Sequence, residues 1–126
     1  MKKFSNSWKS SKKPKKQKKY VFNAPLHKRH KFMTSKLSKE LAQKHGIKRI
    51  GVRKGDKVKI MRGQFRGIVG KVNKIDLSRL RIYVDGAERT KTEGSKAFYP
   101  IHPSNVMITE LLLDDRRRIK AVKNEK

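Results

Sequence analysis

The stretch Gly55-Asp56-Lys57-Val58-Lys59-Ile60-Met61-Arg62-Gly63-Gln64-Phe65-Arg66-Gly67-Ile68-Val69-Gly70-Lys71-Val72 decides how this chain is read. Val58 and Ile60 alternate with lysines, the period of a half-buried strand. Ile68 to Ile75 is rich in β-branched residues and interrupted by Gly70, which predicts a second strand with a bulge or sharp bend. Gly63, Gly67 and Gly70 punctuate the connection. Glycine admits positive φ and lets backbone approach a ligand closely; simple turn geometry uses the same property. The segment is not a phosphate-binding P-loop, because no Gly-Lys-Ser/Thr stands at the required spacing and no helix follows. It is not a dinucleotide fingerprint either, since the βαβ context is missing.

Working outward, the same strand period recurs downstream. Arg79 to Val84 alternates, with Leu80, Ile82 and Val84 on the inward face. Asp76-Leu77-Ser78 reads as a short loop, Asp85-Gly86 as a hairpin turn and Glu93-Gly94-Ser95 as another turn. Residues 97–101 and 105–111 give two more strands, separated by His102-Pro103-Ser104. Short strands at this spacing predict a small all-β barrel or sandwich.

Upstream the character changes. Residues 1–19 are low-complexity and basic, an arm with no fold of its own. Residues 20–33 suit a short helix with Asn23 as cap and Pro25 in its first turn, placing Leu26, His30 and Met33 on one face. Residues 34–45 suit a second helix, with Leu37 and Leu41 four apart and Gly46 as the stop. With so few apolar residues, both helices are expected to dock on something else. After Leu113, Asp114 and Asp115 would cap a basic, frayed helix with Ile119 and Val122 weakly inward. The expected organisation is a disordered basic arm over 1–19, a helical basic extension over 20–51, a barrel over 52–112, and a basic tail or short helix over 113–126.

Charge follows that division. The formal net charge is +26. Residues 1–53 hold 18 basic residues and one acid, Glu40, and so carry about two thirds of the excess. Such a segment repels itself unless a polyanion neutralises it and releases counterions. Trp8, Tyr20, Phe22 and Phe32 are interleaved with the cations, an arrangement suited to stacking on bases and unneeded in a merely solubilising tail. Hydrophobic residues are 34% of the chain, too few for a core that spans all of it. There is no cysteine, which removes disulfides, cysteine–zinc sites and thiol nucleophiles and fits a reducing compartment. No apolar run approaches a membrane span, and the basic start has no apolar stretch of a signal peptide behind it. The expectation is a soluble, cytoplasmic polyanion binder.

The complete loop pattern, from Val58 and Ile60 through Gly63, Gly67 and Gly70 to Val72, resembles a KOW motif of SH3-like barrels. Three further blocks extend the resemblance: Phe22-Asn23-Ala24-Pro25-Leu26-His27 with Leu37-Ser38-Lys39-Glu40-Leu41, then Arg53 to Val58, then Phe98-Tyr99-Pro100-Ile101-His102-Pro103-Ser104-Asn105-Val106-Met107-Ile108. Together, over roughly residues 20–115, the chain resembles the large-subunit ribosomal protein family of universal number twenty-four, eukaryotic number twenty-six. The short tail and the wording of residues 99–105 look archaeal. The fold class expected is mainly β: a small SH3-like KOW barrel with short N-terminal helices and basic extensions. The resemblance implies binding to the 5′ part of large-subunit ribosomal RNA, early in assembly and near the polypeptide exit, beside neighbouring ribosomal proteins. It implies no cofactor, membrane, small-molecule substrate or homo-oligomer.

Candidate RNA contacts follow from charge, aromaticity and the matched blocks. In the arm and extension they are Trp8, Lys12, Lys13, Lys15, Lys16, Lys18, Lys19, Tyr20, Asn23, His27, Lys28, Arg29 and Lys36. Arg53 and Lys54 precede the barrel. On or beside the loop stand Arg62, Gly63, Gln64, Arg66, Gly67 and Lys71. Arg62 and Arg66 lead this group because a guanidinium chelates phosphate or stacks on a base. Phe65 suits base stacking and folding onto the barrel equally. His102, Ser104 and Asn105 form a turn that suits RNA contact and turn-stabilising hydrogen bonds equally. His27 and His30 lack a nearby Cys, Asp or Glu and make a poor metal site.

Catalysis has little support, since Asp114 and Asp115 are adjacent and cannot share one helix face, and no nucleophile elbow is present. Two rivals share parts of this pattern. A transcription-associated KOW module usually carries a further α/β domain, for which the chain has no room. A histone-like compactor shares the charge but needs no glycine loop.

Overall fold

The structure is a computed structural model, which describes residues 4–5 and 10–124, the last four as backbone only. In chain order the elements are α1 (Pro14–Asn23), α2 (Leu26–Phe32), β1 (Thr34–Leu37), α3 (Lys39–His45), β2 (Arg49–Gly51), β3 (Lys57–Ile60), β4 (Val69–Asp76), β5 (Arg81–Val84), β6 (Glu88–Thr90), β7 (Lys96–Phe98), a 3-10 turn (Pro103–Asn105), β8 (Val106–Glu110) and α4 (Arg117–Asn124). Six strands form one mixed sheet in the order β2-β1-β8-β3-β4-β5, and β6 pairs with β7 in a second. This is a mainly-β architecture, as the alternation and turn spacing predict, and it is consistent with the small SH3-like barrel that the resemblance implies.

The core follows the period-2 pattern. Val58 and Ile60 on β3, Ile82 and Val84 on β5, and Val106 and Ile108 on β8 are all buried. They pack with Met33, Leu37, Ile47, Ile50 and Val72 into one cluster. Each such side chain removed from water contributes about 1.5–3 kcal/mol, before the entropy of ordering it is counted. The bend expected in β4 is present, but its register shift falls between Val72 and Lys74. Gly70 has a different role. A Cβ built there would lie 2.2 Å from the carbonyl oxygen of Asp85, so the two backbones approach more closely than any side chain permits.

Several local expectations are corrected. Residues 34–45 are not one helix. Thr34–Leu37 is a strand, and Ser38 caps the shorter helix α3 by accepting from the Leu41 N–H. The four-residue spacing of Leu37 and Leu41 misleads because it crosses that cap. Pairing of β1 between β2 and β8 overrides local helical preference, and the buried Ser35 hydroxyl donates to Pro103 O at 2.6 Å. Gly46 does stop the helix in the left-handed region, at φ +66°. Two strands of the main sheet thus come from residues 34–51, upstream of the segment expected to form the barrel.

Residues 20–33 are likewise divided. Ala24 is extended before Pro25, which breaks the chain into α1 and α2. Asn23 ends α1 instead of capping a following helix. α1 itself begins at Pro14, inside the segment expected to lack structure, with proline at the position where its missing N–H is harmless. Met33 is buried, while Leu26 on the supposed shared face stays exposed. Asp85-Gly86 forms a turn with Gly86 at φ +89°, but β5 pairs with β4 and β6 with β7. The turn therefore passes the chain from one sheet to the other.

The C-terminal segment is anchored where fraying was expected. Arg118 is buried and its guanidinium grips the buried Asp56 carboxylate through both terminal nitrogens. Asp56 also accepts from the N–H groups of Arg53 (2.9 Å) and Leu112 (3.1 Å), and Arg118 donates to Gly51 O (2.8 Å) and Leu112 O (3.1 Å). The expected cap is formed by Asp115, which accepts from Arg117 N–H at 2.9 Å. Its carboxyl is held below the ordinary range first by a hydrogen bond from Arg53 and then by that cap. Ile119 packs partly against the core as expected, whereas the side chain of Val122 lies outside the described residues.

Candidate nucleic-acid interface

The glycine loop joins β3 to β4 over residues 61–68. It is closed by Ile60 N–H donating to Ile68 O (2.9 Å) and Gly67 N–H donating to Ile60 O (2.8 Å). Gly63 and Gly67 adopt φ +94° and +90°, and a Cβ at either would meet nothing within 4 Å. The glycines are thus required by backbone conformation, not by lack of space. Their effect is to turn Arg62, Gln64 and Arg66 outward on a tight frame, and all three are exposed. Phe65 turns back and packs against Tyr99 with ring centroids 5.1 Å apart.

Beside the loop lies the 3-10 turn before β8. Met61 N–H donates to Asn105 O at 2.8 Å, which fixes the turn to the loop. His102 Nδ1 accepts from the Ser104 N–H (3.2 Å) and lies 2.7 Å from its hydroxyl. An acceptor at Nδ1 places the proton of the neutral ring on Nε2. Partial burial, and then the charge of Arg81, hold the His102 pKa below its ordinary value, so the ring is neutral at pH 7. Loop and turn together enclose a cleft of about 380 Å³ that brings Arg62, Gly63, Gln64, His102 and Asn105 to one place. Arg81, Phe65 and Tyr99 line the same cleft. Arg81 and Tyr99 are absent from the candidate contacts drawn from sequence. Alternation marks Arg81 only as an outward strand position, and nothing in the local sequence marks either residue as facing the loop.

The other candidates lie elsewhere. Lys15, Lys16, Lys18 and Lys19 are exposed along α1, with Lys12 and Lys13 exposed just before it. Lys18 and Arg29 line a second, mainly apolar cleft of about 400 Å³ with Phe22 and Leu80. Phe22 is 78% exposed there. Arg53 and Lys54 line a third, with His30. Lys36, on β1, and Lys71, on β4, are exposed, as are Asn23 and His27, while Lys28 is half-buried. Trp8 lies outside the described residues.

Arg29, Tyr20 and Arg53 are also engaged within the protein. Arg29 donates to the carbonyls of Phe22, Ala24, Leu77 and Ser78, tying the two N-terminal helices to the turn after β4. Tyr20 packs in tilted contact with Phe4 (centroids 4.8 Å) and Phe32 (6.1 Å). Arg53 pairs with Asp115 at 2.9 Å. Among the described residues there is no cluster of three or more metal-ligating side chains, and no helix is long and apolar enough to cross a membrane.

A basic surface with a glycine-framed loop, cationic helices and a small cleft mixing arginine, amide and aromatic groups suits contact with folded RNA. The model of one protein family, that of eukaryotic large-subunit ribosomal protein number twenty-six and archaeal number twenty-four, matches residues 11–125, and the chain belongs to that family of ribosomal proteins.

Proposed function

We propose that the protein is a structural constituent of the large ribosomal subunit that binds the 5′ part of the large-subunit RNA, during early assembly and near the polypeptide exit. It has no catalytic role in this reading, acts as a single copy beside neighbouring ribosomal proteins, and works in the cytoplasm. The observation that carries the RNA contact is the convergence of the glycine loop and the 99–105 turn on one cleft without a lining carboxylate. The exposed lysines of α1 supply phosphate contacts that position without reading sequence.

Co-sedimentation tests the assignment. The chain is expected to stay with the large subunit through salt washes that strip loosely bound proteins. Recovery only with RNA polymerase would favour a transcription module, and recovery only with chromatin a DNA compactor; either refutes the proposal. The double variant Arg62→Ala, Arg66→Ala is expected to bind RNA more weakly with its β-type circular dichroism intact. Each lost phosphate contact lowers the salt slope by about 0.9 on duplex-like nucleic acid. A salt-independent affinity would refute the electrostatic basis.

A further inference from the structure

We propose that the cleft between the glycine loop and the 99–105 turn holds one unstacked nucleotide of the bound RNA, its base against Tyr99 and its phosphate on Arg62 and Arg81. The inference rests on the RNA-binding reading and adds to it a particular kind of RNA position, an unpaired one. At about 380 Å³ the cleft is at the small end of ligand sites, with room for a single base and none for a duplex.

Its lining divides by chemistry. Arg62 and Arg81 are the cations, and no carboxylate accompanies them. Tyr99 is 38% exposed and in tilted contact with Phe65, ring centroids 5.1 Å apart, so its ring is held in place by a neighbour that lines the same cleft. A pre-positioned ring loses little entropy when a base stacks on it. His102 is held neutral with its Nε2–H as donor, and Gln64 adds an amide. Neutral donors and acceptors suit base edges, whereas phosphates draw cations. A groove serving only the backbone would have no use for the aromatic wall or for a neutral imidazole beside Arg81. The loop is also tied to the turn through Met61 and Asn105, so the two walls keep one spacing.

The test uses the full chain and a transcript of the 5′ part of the large-subunit RNA. Hydroxyl-radical cleavage reads backbone protection, and base-face chemical probing reads individual bases. With the wild-type protein, one unpaired nucleotide is expected to become protected at its base face. Tyr99→Ala is expected to restore that nucleotide's reactivity while the backbone footprint persists, and to weaken binding about 5- to 150-fold. Tyr99→Phe keeps the ring and is expected to retain the protection. Circular dichroism of both variants confirms the fold. Identical base-face patterns for wild type and Tyr99→Ala overturn the proposal while leaving RNA binding intact. Absence of any backbone protection by the wild type overturns the RNA-binding reading itself, and the cleft proposal with it.

Discussion

Asp56→Ala is expected to be among the most damaging single substitutions in this protein. Asp56 is fully buried and accepts four hydrogen bonds, two from Arg118 and one each from the backbone of Arg53 and Leu112. Removing the carboxylate leaves the guanidinium of Arg118 buried without its counter-ion, which costs about 3–5 kcal/mol. Two backbone donors lose their acceptor as well, although water entering the vacated space offsets part of that loss. Against a typical domain stability of about 5–15 kcal/mol, a substantial fraction is lost. The melting temperature should fall by about 10–25 °C, and the urea midpoint by about 2–3 M. Arg118→Ala is expected to cost less, because Asp56 keeps its two backbone donors and the C-terminal helix can lift away to let water in. The double variant should be more stable than the sum of the singles predicts, by about 0.5–3 kcal/mol. Urea denaturation of the four proteins measures the cycle. A cost below about 1 kcal/mol for Asp56→Ala, or strict additivity, would refute the view that this pair fastens the C-terminal segment to the sheet.

Two further outcomes are expected. Gly70→Ala forces a Cβ against the Asp85 carbonyl and should destabilise the β4–β5 pair by about 1–3 kcal/mol, read as faster amide exchange in residues 81–84; unchanged exchange would contradict the close approach. His102 should titrate by NMR below the ordinary imidazole pKa. Because its native pKa is lowered, the unfolded chain binds the proton first, so its contribution to stability is complete above about pH 6.5 and is lost as pH falls through the native value. A midpoint at or above the ordinary value would contradict the burial and the repulsion from Arg81.

β3, β5 and β8 are legible because each buries alternate residues, whereas β4 breaks the period at its register shift and β6, at Glu88–Thr90, carries no such signal. β1 is not legible either. Its residues fit a helix locally, and only pairing with β2 and β8, distant in sequence, makes Thr34–Leu37 extended. The break at Ala24-Pro25 follows from proline sterics, yet the spacing of Leu26, His30 and Met33 puts it inside one helix. For the candidate site, the loop and the turn are each marked by composition, whereas their meeting in one cleft is a product of the sheet order. Arg118 shows the opposite failure. In a run of three arginines it looks like surface charge, and nothing local tells that one of the three turns inward to a carboxylate 62 positions away.

The placement of β8 between β1 and β3 has a consequence for the order of events during synthesis. The last strand to be made lies inside the sheet, with the first strand on one side in parallel and a middle strand on the other. Until residue 110 has left the translating ribosome, β1 and β3 lack the element that joins them, and the central core cannot close. The lysine-rich residues 12–19 therefore emerge well before the sheet that will carry them can be completed.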